Sequence, residues 1–184
     1  MHLNGFSPNA LILIALSLCS QAVHAVTLNF SASIVQSTCS LSLDKSVLPL
    51  GDVPQASLRS GALVNLKPFS LRVDNCSGVA GGSQQLVILV VGAGATQDGK
   101  WLFRNSNSTA GGAGVMLVQG DTPPSYTATE VKPGDYFPLA GVGQVPVNQE
   151  FPFFAGVSCG GSTGCATIKP GALTANLMFM FAYR

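Results

Sequence analysis

The chain has 184 residues, of which 47% are hydrophobic and only 9% charged, and its formal net charge is +1. This length is enough for one domain with a sizeable core, and the near-neutral charge gives no bias toward nucleic acid. Soluble globular domains carry about 25% charged residues, so we expect a protein that covers much of its surface with partners.

Residues 1–25 predict a secretory signal peptide. An apolar run extends from Ala10 to Leu18, and the sequence Val-His-Ala at positions 23–25 places small or modest side chains where a signal peptidase reads. The run is too short for a transmembrane anchor, which needs about 20 residues. A lipid-modified Cys19 is the alternative, but bulky Leu18 stands where such a site has a small residue.

The next segment, residues 26–34, predicts a β-strand. Every odd position is Thr, Asn or Ser, and every even position is apolar: Val26, Leu28, Phe30, Ala32 and Ile34. This period of two is typical of a strand that buries one face. From the pattern alone, it could be an ordinary edge strand of a closed sandwich.

The predicted cleavage removes both histidines, His2 and His24. The mature chain then has no imidazole, which excludes Ser-His-Asp catalysis, Cys-His catalysis and His-ligated metals. The aspartates are scattered, so the paired carboxylates of a glycosidase are not evident. We therefore expect a protein that is not an enzyme and has no cofactor.

Four cysteines remain in the mature chain: Cys39, Cys76, Cys159 and Cys165. An even number in an exported chain indicates two disulfides, with three possible pairings. Their spacing matches no zinc finger. Because Cys159 and Cys165 flank a Gly-Gly-Ser-Thr-Gly turn, we predict that they pair with each other, which leaves Cys39 with Cys76.

Further strands are predicted along the chain. The first strand continues through Cys39–Leu43, and Leu63–Val73 changes its alternation at Lys67 and Pro68. A bulge there would bring both sets of its apolar residues to the core face. The other candidates are Gln85–Gly92, Trp101–Arg104, Gly114–Gln119, Tyr126–Thr129, Asp135–Leu139 and Glu150–Val157. No stretch has a helical period, which predicts a single all-β sandwich.

The C-terminal strand, residues 172–184, has the sharpest pattern. One parity carries Leu173, Ala175, Leu177, Phe179, Phe181 and Tyr183, and the other is also apolar from Met178 onward. A strand that is apolar on both faces is expected between two others. No later segment follows that could pair with it.

Several landmarks occur in a characteristic order. They are Cys39 and Cys76 around the first two strands, the Leu-Gly-Asp-Val turn at 50–53, Lys-Pro-Phe-Ser-Leu at 67–71 before Asn75-Cys76, Gly114-Val115, Gly171 and penultimate Tyr183. By these landmarks the chain resembles the pilin subunits of chaperone–usher fimbriae, in particular the type 1-like family, over its whole mature length.

This resemblance implies an all-β fold: an incomplete immunoglobulin-like sandwich that lacks its last strand, with an N-terminal donor-strand extension at 26–35 and a pilin domain at 36–184. Residues 26–34 would be donated to a neighbouring subunit. The acceptor groove and chaperone-binding wall would comprise Gly171, Leu173, Ala175, Leu177, Phe179, Phe181 and Tyr183, with the Arg184 carboxylate as an anchor for the chaperone.

The implied partners are a periplasmic pilus chaperone, an outer-membrane usher and neighbouring fimbrial subunits. The implied route is export through the periplasm to a fimbrium on the cell surface. Two departures from the family pattern are Ala32, where a glycine is common, and the extra cysteine pair, which we expect to close a hairpin tip. The short extension is more similar to minor, tip-proximal subunits.

The alternative function is a carbohydrate-binding tip adhesin of the same fimbrial system. Two-domain adhesins carry a lectin domain ahead of the pilin domain, and this chain is too short for both. Trp101 with Phe103 could form a sugar-stacking platform, but a lone aromatic residue on a strand more often belongs to the core.

Overall fold

The computed structural model describes residues 38–184, and every structural statement below concerns this part of the chain. The predicted signal peptide and the predicted strand at 26–34 lie outside the described residues. The nine described strands are β1 (Thr38–Leu43), β2 (Val64–Ser77), β3 (Leu86–Gly92), β4 (Gly94–Gln97), β5 (Lys100–Phe103), β6 (Gly114–Gln119), β7 (Tyr136–Pro138), β8 (Gln149–Ser158) and β9 (Leu177–Tyr183). Helical structure is limited to a 3-10 turn (Gln55–Ser57) and a four-residue helix α1 (Ser162–Cys165).

Two antiparallel sheets form the molecule. One has six strands in the order β1-β2-β8-β6-β5-β4, and the other has three in the order β7-β3-β9. Their inward-facing side chains share one core, in which Leu71 and Phe153 come from the first sheet and Ile88 and Val90 from the second. This arrangement is an all-β, immunoglobulin-like sandwich, as the sequence predicted.

The sandwich is incomplete at β9. This strand pairs with β3 through seven residues, and no other described strand lies along its second edge. The sequence pattern alone placed the C-terminal strand between two neighbours, which is wrong for the described chain. The strand is also shorter than predicted, because residues 172–176 precede it without forming a ladder.

Most of the other predicted strands are present, with small shifts at their ends. Gly114–Gln119 has the predicted bounds, whereas Tyr126–Thr129 is not a strand and β4 was not predicted. The strand β3 lies between β7 and β9, and residues of both its parities are fully buried, Val87 on one and Ile88 and Val90 on the other.

The structure has a bulge in β2, but it lies before Lys67 and not at Lys67 and Pro68, and its consequence differs from the expectation. The register with β8 shifts between Val64 and Lys67, so three steps on β2 match two on β8. Leu66 does not join the main core, because its side chain and that of Leu63 cover Gly156, on the opposite face of the sheet. A second, smaller cluster around Met116 occupies this face.

The four cysteines form two disulfides with the predicted pairing. The long bridge, Cys39–Cys76, joins the start of β1 to the end of β2, and the short bridge, Cys159–Cys165, spans the turn that contains α1. The short bridge does not close a hairpin tip, because β8 and β9 belong to different sheets. It ties a single helical turn to the end of β8. Within residues 38–184, no helix has the length and apolarity of a membrane span.

Candidate functional site

An apolar groove opens beside β9 and reaches the core of the sandwich. Its volume is about 460 Å³. One wall is the segment Leu173–Phe179, and the other is the chain that leaves β1, residues 43–51. Between the walls lie core residues of the six-stranded sheet: Phe69, Val115, Leu117 and Ala155. The groove is therefore an opening into the core at the edge of β9.

The first wall is held from outside by the loop at residues 105–111. The Asn105 and Thr109 N–H groups donate to the carbonyls of Thr174 and Ala172, at 2.8 and 2.9 Å. The Ser108 hydroxyl accepts from the Thr174 N–H at 3.0 Å, and the Asn105 side chain accepts from the Asn176 N–H at 2.9 Å. These hydrogen bonds hold residues 172–176 in place although this segment belongs to no described strand.

The close approach of the first wall to the loop requires glycine at position 171. A Cβ atom at this position would lie 2.5 Å from the Ala110 backbone nitrogen and 2.6 Å from the Thr109 carbonyl carbon. Only glycine allows the two backbones to approach so closely. Gly171 thus fixes where the groove wall begins but does not line the groove.

The second wall is fixed at both of its ends. At one end Asp44 bonds to both backbone groups of Ser70, at 3.1 Å through its N–H and at 2.8 Å through its carboxylate. At the other end, the Asn65 amide donates to the Leu50 and Asp52 carbonyls at 2.9 and 3.0 Å. Between these anchors Val47 is 79% exposed, so this stretch of the wall faces solvent.

Charge at the groove mouth is limited to one pair. The Lys45 ammonium lies 2.8 Å from the Asp44 carboxylate and 3.2 Å from the Pro68 carbonyl. The hydrogen bond from Lys45, followed by that from the Ser70 N–H, lowers the pKa of Asp44. The pair neutralises itself, so the groove offers apolar surface and no net charge to an occupant.

An aromatic cluster lines the inner end of the groove. The Phe69 and Phe153 rings are stacked at 5.4 Å between centroids, and Phe179 contacts both, at 6.3 and 5.4 Å. Such pairs each contribute about 0.5–1.5 kcal/mol beyond area burial. The cluster thus joins Phe179 of the first wall to Phe69 of the floor and to Phe153 in the core.

The structure brings only part of the predicted groove set together. Leu173, Ala175, Leu177 and Phe179 line the groove, whereas Phe181 and Tyr183 pack on the core further along β9. Arg184 is exposed at the far end. Its backbone exchanges hydrogen bonds with Gln85, and its guanidinium lies 4.3 Å from the Tyr136 ring centroid.

Sequence reasoning missed the second wall and the floor. The sequence pattern predicts a turn at residues 47–51 after the strand that ends at Leu43, yet Leu48 and Leu50, together with Leu43, supply that wall. Their alternation over a short, proline-containing segment was the only available signal. The floor residues could not be recognised from the sequence, because every inward-facing position of a strand is apolar whether or not it lines a groove.

Trp101 belongs to the packed interior and forms no open platform. Its ring meets Phe103 edge-on at 6.1 Å, and its indole N–H is buried. Beside it, Lys100 and Glu130 form a largely buried ion pair at 3.0 Å. Burial raises the pKa of Glu130, but hydrogen bonds from Lys100 and the Trp101 N–H outweigh it, so the pKa is lowered overall.

The described residues that line the groove include no His, Cys, Asp or Glu side chain. Among the described residues, no cluster of three or more His, Cys, Asp or Glu side chains could hold a metal ion. The two features that define the site are an edge of β9 along which no other described strand pairs and an apolar opening beside it. Together they give the described part of the chain a long apolar groove that is open to solvent.

Comparison with known proteins identifies the family. The sequence profile of the fimbrial protein family matches residues 28–184. The chain therefore belongs to the fimbrial protein family and is a fimbrial subunit of the chaperone–usher type. Members of this family are structural subunits and not enzymes.

Solved structures also match, among them the P pilus rod subunit PapA. The sequence identity is 16%, the TM-score is 0.46, and the alignment covers 86% of this chain and 100% of that chain. No curated protein sequence matches the chain.

Proposed function

We propose that this subunit polymerises by donor-strand exchange. Its groove accepts the N-terminal strand of one neighbour, and its own residues 26–34 are donated to another. The observation that carries this proposal is the groove between residues 43–51 and Leu173–Phe179, which opens onto the core along an edge of β9 where no other described strand pairs. An added strand would satisfy that edge and cover the floor in one step.

The spacing of the groove supports an extended occupant. The four wall residues Leu173, Ala175, Leu177 and Phe179 recur every second position. The apolar residues of 26–34 recur with the same period. A strand rises about 3.3 Å per residue, so alternate side chains of an incoming strand meet alternate positions of the wall.

The finer assignments rest on the same proposal. Residues 1–25 direct export, 26–35 form the donor extension, and 36–184 form the pilin domain. A periplasmic chaperone occupies the groove before assembly and binds the Arg184 carboxylate, and an outer-membrane usher delivers the subunit to the surface fimbrium. The short extension favours a minor subunit. The fimbrium serves adhesion, and the packed state of Trp101 does not favour the adhesin alternative.

Peptide binding to the purified mature subunit tests the proposal. The probes are synthetic peptides of the N-terminal segments of neighbouring fimbrial subunits, together with residues 26–34 of this chain. At a concentration 100-fold above the dissociation constant, a bound peptide stabilises the fold by about 2.7 kcal/mol. For a domain of this size, this corresponds to a rise in melting temperature of about 5–10 °C.

The control is the same peptide with its alternating apolar residues replaced by serine. This peptide keeps the backbone that could pair with β9 but has nothing to place in the groove, so we expect no shift. If no neighbouring peptide raises the melting temperature, the groove is not a strand acceptor.

A further inference from the structure

An exposed apolar loop lies at the end of the sandwich where β1 begins. The loop, residues 141–148 between β7 and β8, is called the valine loop here. It carries no charged residue, and Val142, Val145 and Val147 are 57%, 50% and 65% exposed. Nine large hydrophobic residues are exposed in the described chain, and three of them belong to this loop.

The exposure of these valines comes from an ordered conformation. The Gln144 N–H donates to the Gly141 carbonyl at 3.1 Å, and the Gln144 side-chain oxygen accepts from the Gly141 N–H at 3.2 Å. Gln85 and Gln149 bind the preceding carbonyls of Ala140 and Leu139, at 2.6 and 2.9 Å. Pro146 is buried. The loop is therefore held at its start and in its middle while the valines face solvent.

The valine loop lies against the point where the chain enters the domain. The Asn148 side chain accepts from the Cys76 N–H at 3.5 Å, and the Cys76 sulfur lies 3.9 Å from the Val147 carbonyl. Cys76 is bonded to Cys39, and Thr38 pairs with Ser77. The first described residue of the chain is thus adjacent to the loop.

Chain length limits how far the donor segment can be from this loop. Ile34 precedes Thr38 by four residues, and a fully extended chain spans at most about 3.6 Å per residue. The end of the donor segment therefore lies within about 14 Å of Thr38. Any protein that receives residues 26–34 must therefore come within about that distance of Thr38, which lies beside the valine loop.

We propose that the valine loop is a second contact surface for the fimbrial subunit that accepts residues 26–34 of this chain. The inference rests on the proposed function, because the partner is defined by the donated strand. The exposed valine side chains of this uncharged, ordered loop become buried when the body of that subunit packs against them. The contact then fixes the angle between successive subunits.

Photo-crosslinking in assembled fimbriae tests the contact. A photoreactive benzoylphenylalanine replaces Val145 or, separately, Asn29 on the polar side of the donor segment. The full chain is produced in cells that assemble the fimbrium, and crosslinked subunits from sheared fimbriae are identified by mass spectrometry. We expect both positions to give a product with the same fimbrial subunit. Val91, which is 37% exposed at the other end of β3, is the control position and gives no product with it.

The outcomes separate the two ideas. A product from Asn29 with none from Val145, or with a different protein from Val145, overturns the inference and leaves strand donation standing. Absence of any product between Asn29 and a fimbrial subunit overturns strand donation itself and, with it, the inference. A Val145 product with the usher or with a non-fimbrial protein also overturns the inference.

A variant measures what the contact contributes. Replacing Val142, Val145 and Val147 with threonine keeps their shape but adds hydroxyl groups that a closed apolar contact leaves unpaired. We expect the triple variant to be recovered in fimbriae at about a tenth of the wild-type level, while the purified subunit keeps its melting temperature. Val91→Thr is the matched control at the wild-type level. Equal recovery of the two variants would overturn the inference.

Discussion

Filling the groove with a side chain should stabilise the empty subunit and weaken strand binding at the same time. Ala175 lines the groove from the first wall and is partly buried. Ala175→Leu adds three carbon atoms that point into a space of about 460 Å³. At about 0.8 kcal/mol per buried CH₂, and with half of the added surface leaving water, the empty subunit gains about 1 kcal/mol.

The same side chain occupies volume that an incoming strand needs. Forcing extra methylene groups into a packed site costs about 1–3 kcal/mol. This range corresponds to a dissociation constant for the donor peptide that rises about 5- to 150-fold. The opposite signs of the two effects distinguish a binding groove from an ordinary packing defect, for which filling would carry no binding penalty.

Two measurements on the purified mature subunit check this prediction. Urea unfolding gives the stability of the empty subunit, and fluorescence titration gives the affinity for the donor peptide that binds the wild-type protein. The matched control is Ala182→Leu, which places the same side chain on the opposite face of β9, opposite Val87. We expect the control to bind the peptide within about threefold of wild type. Unchanged affinity in Ala175→Leu would refute the assignment of the groove.

Two further predictions concern the stability of the domain. Glu130→Gln should cost about 2–3 kcal/mol near neutral pH because it breaks a largely buried, charge-assisted bond, whereas the exposed Glu150→Gln should cost less than about 0.5 kcal/mol. Burial raises the pKa of Glu130, but its hydrogen bonds outweigh burial, so the pKa lies below the usual 4.5. The ion pair therefore contributes its full stabilisation of the fold above pH 4.5, and this contribution is lost as the pH falls through the lowered pKa. In urea unfolding, a gap between Glu130→Gln and wild type that persists in acid would contradict this account. Replacing both cysteines of the long bridge with alanine should cost about 4 kcal/mol of stability, and replacing both cysteines of the short bridge should cost about 2.4 kcal/mol. The difference arises because the sequence separations are 37 and 6, and a longer loop loses more chain entropy when it is closed. If the short-bridge variant had the lower urea midpoint, chain entropy would not be the dominant effect.

Strand positions were largely predictable because side-chain alternation is a local property. The period of two in Glu150–Val157 and the continuous apolar run in Gln85–Gly92 led to β8 and β3 with shifts of one residue. The turn between Cys159 and Cys165 was enough to predict the pairing of all four cysteines. The short strand β4 escaped because its sequence, Gly-Ala-Thr-Gln, has no apolar alternation. It exists through its pairing with β5.

The face of a residue beyond an irregularity could not be predicted. A bulge at Lys67 and Pro68 was expected from the change of parity, yet the bulge lies before Lys67 and sends Leu66 over Gly156 and away from the main core. Backbone torsion at a bulge decides which face follows, and Asn65 adopts a positive φ of 52° there. Sequence periodicity carries no information on that torsion.

By itself, the sequence determined that the chain forms a β-sandwich, carries two disulfides and has a C-terminal strand with apolar residues at alternate positions. That these residues line a groove was implied only by the resemblance to fimbrial subunits. The tertiary structure alone decided that Leu48 and Leu50 form the opposite wall and that Val115, Leu117 and Ala155 are the floor. It also placed β9 at an edge of its sheet among the described strands. The reason is physical. A local pattern specifies which side of a strand is apolar, whereas a groove exists only where two such sides fail to meet, and that depends on the pairing of segments distant in sequence.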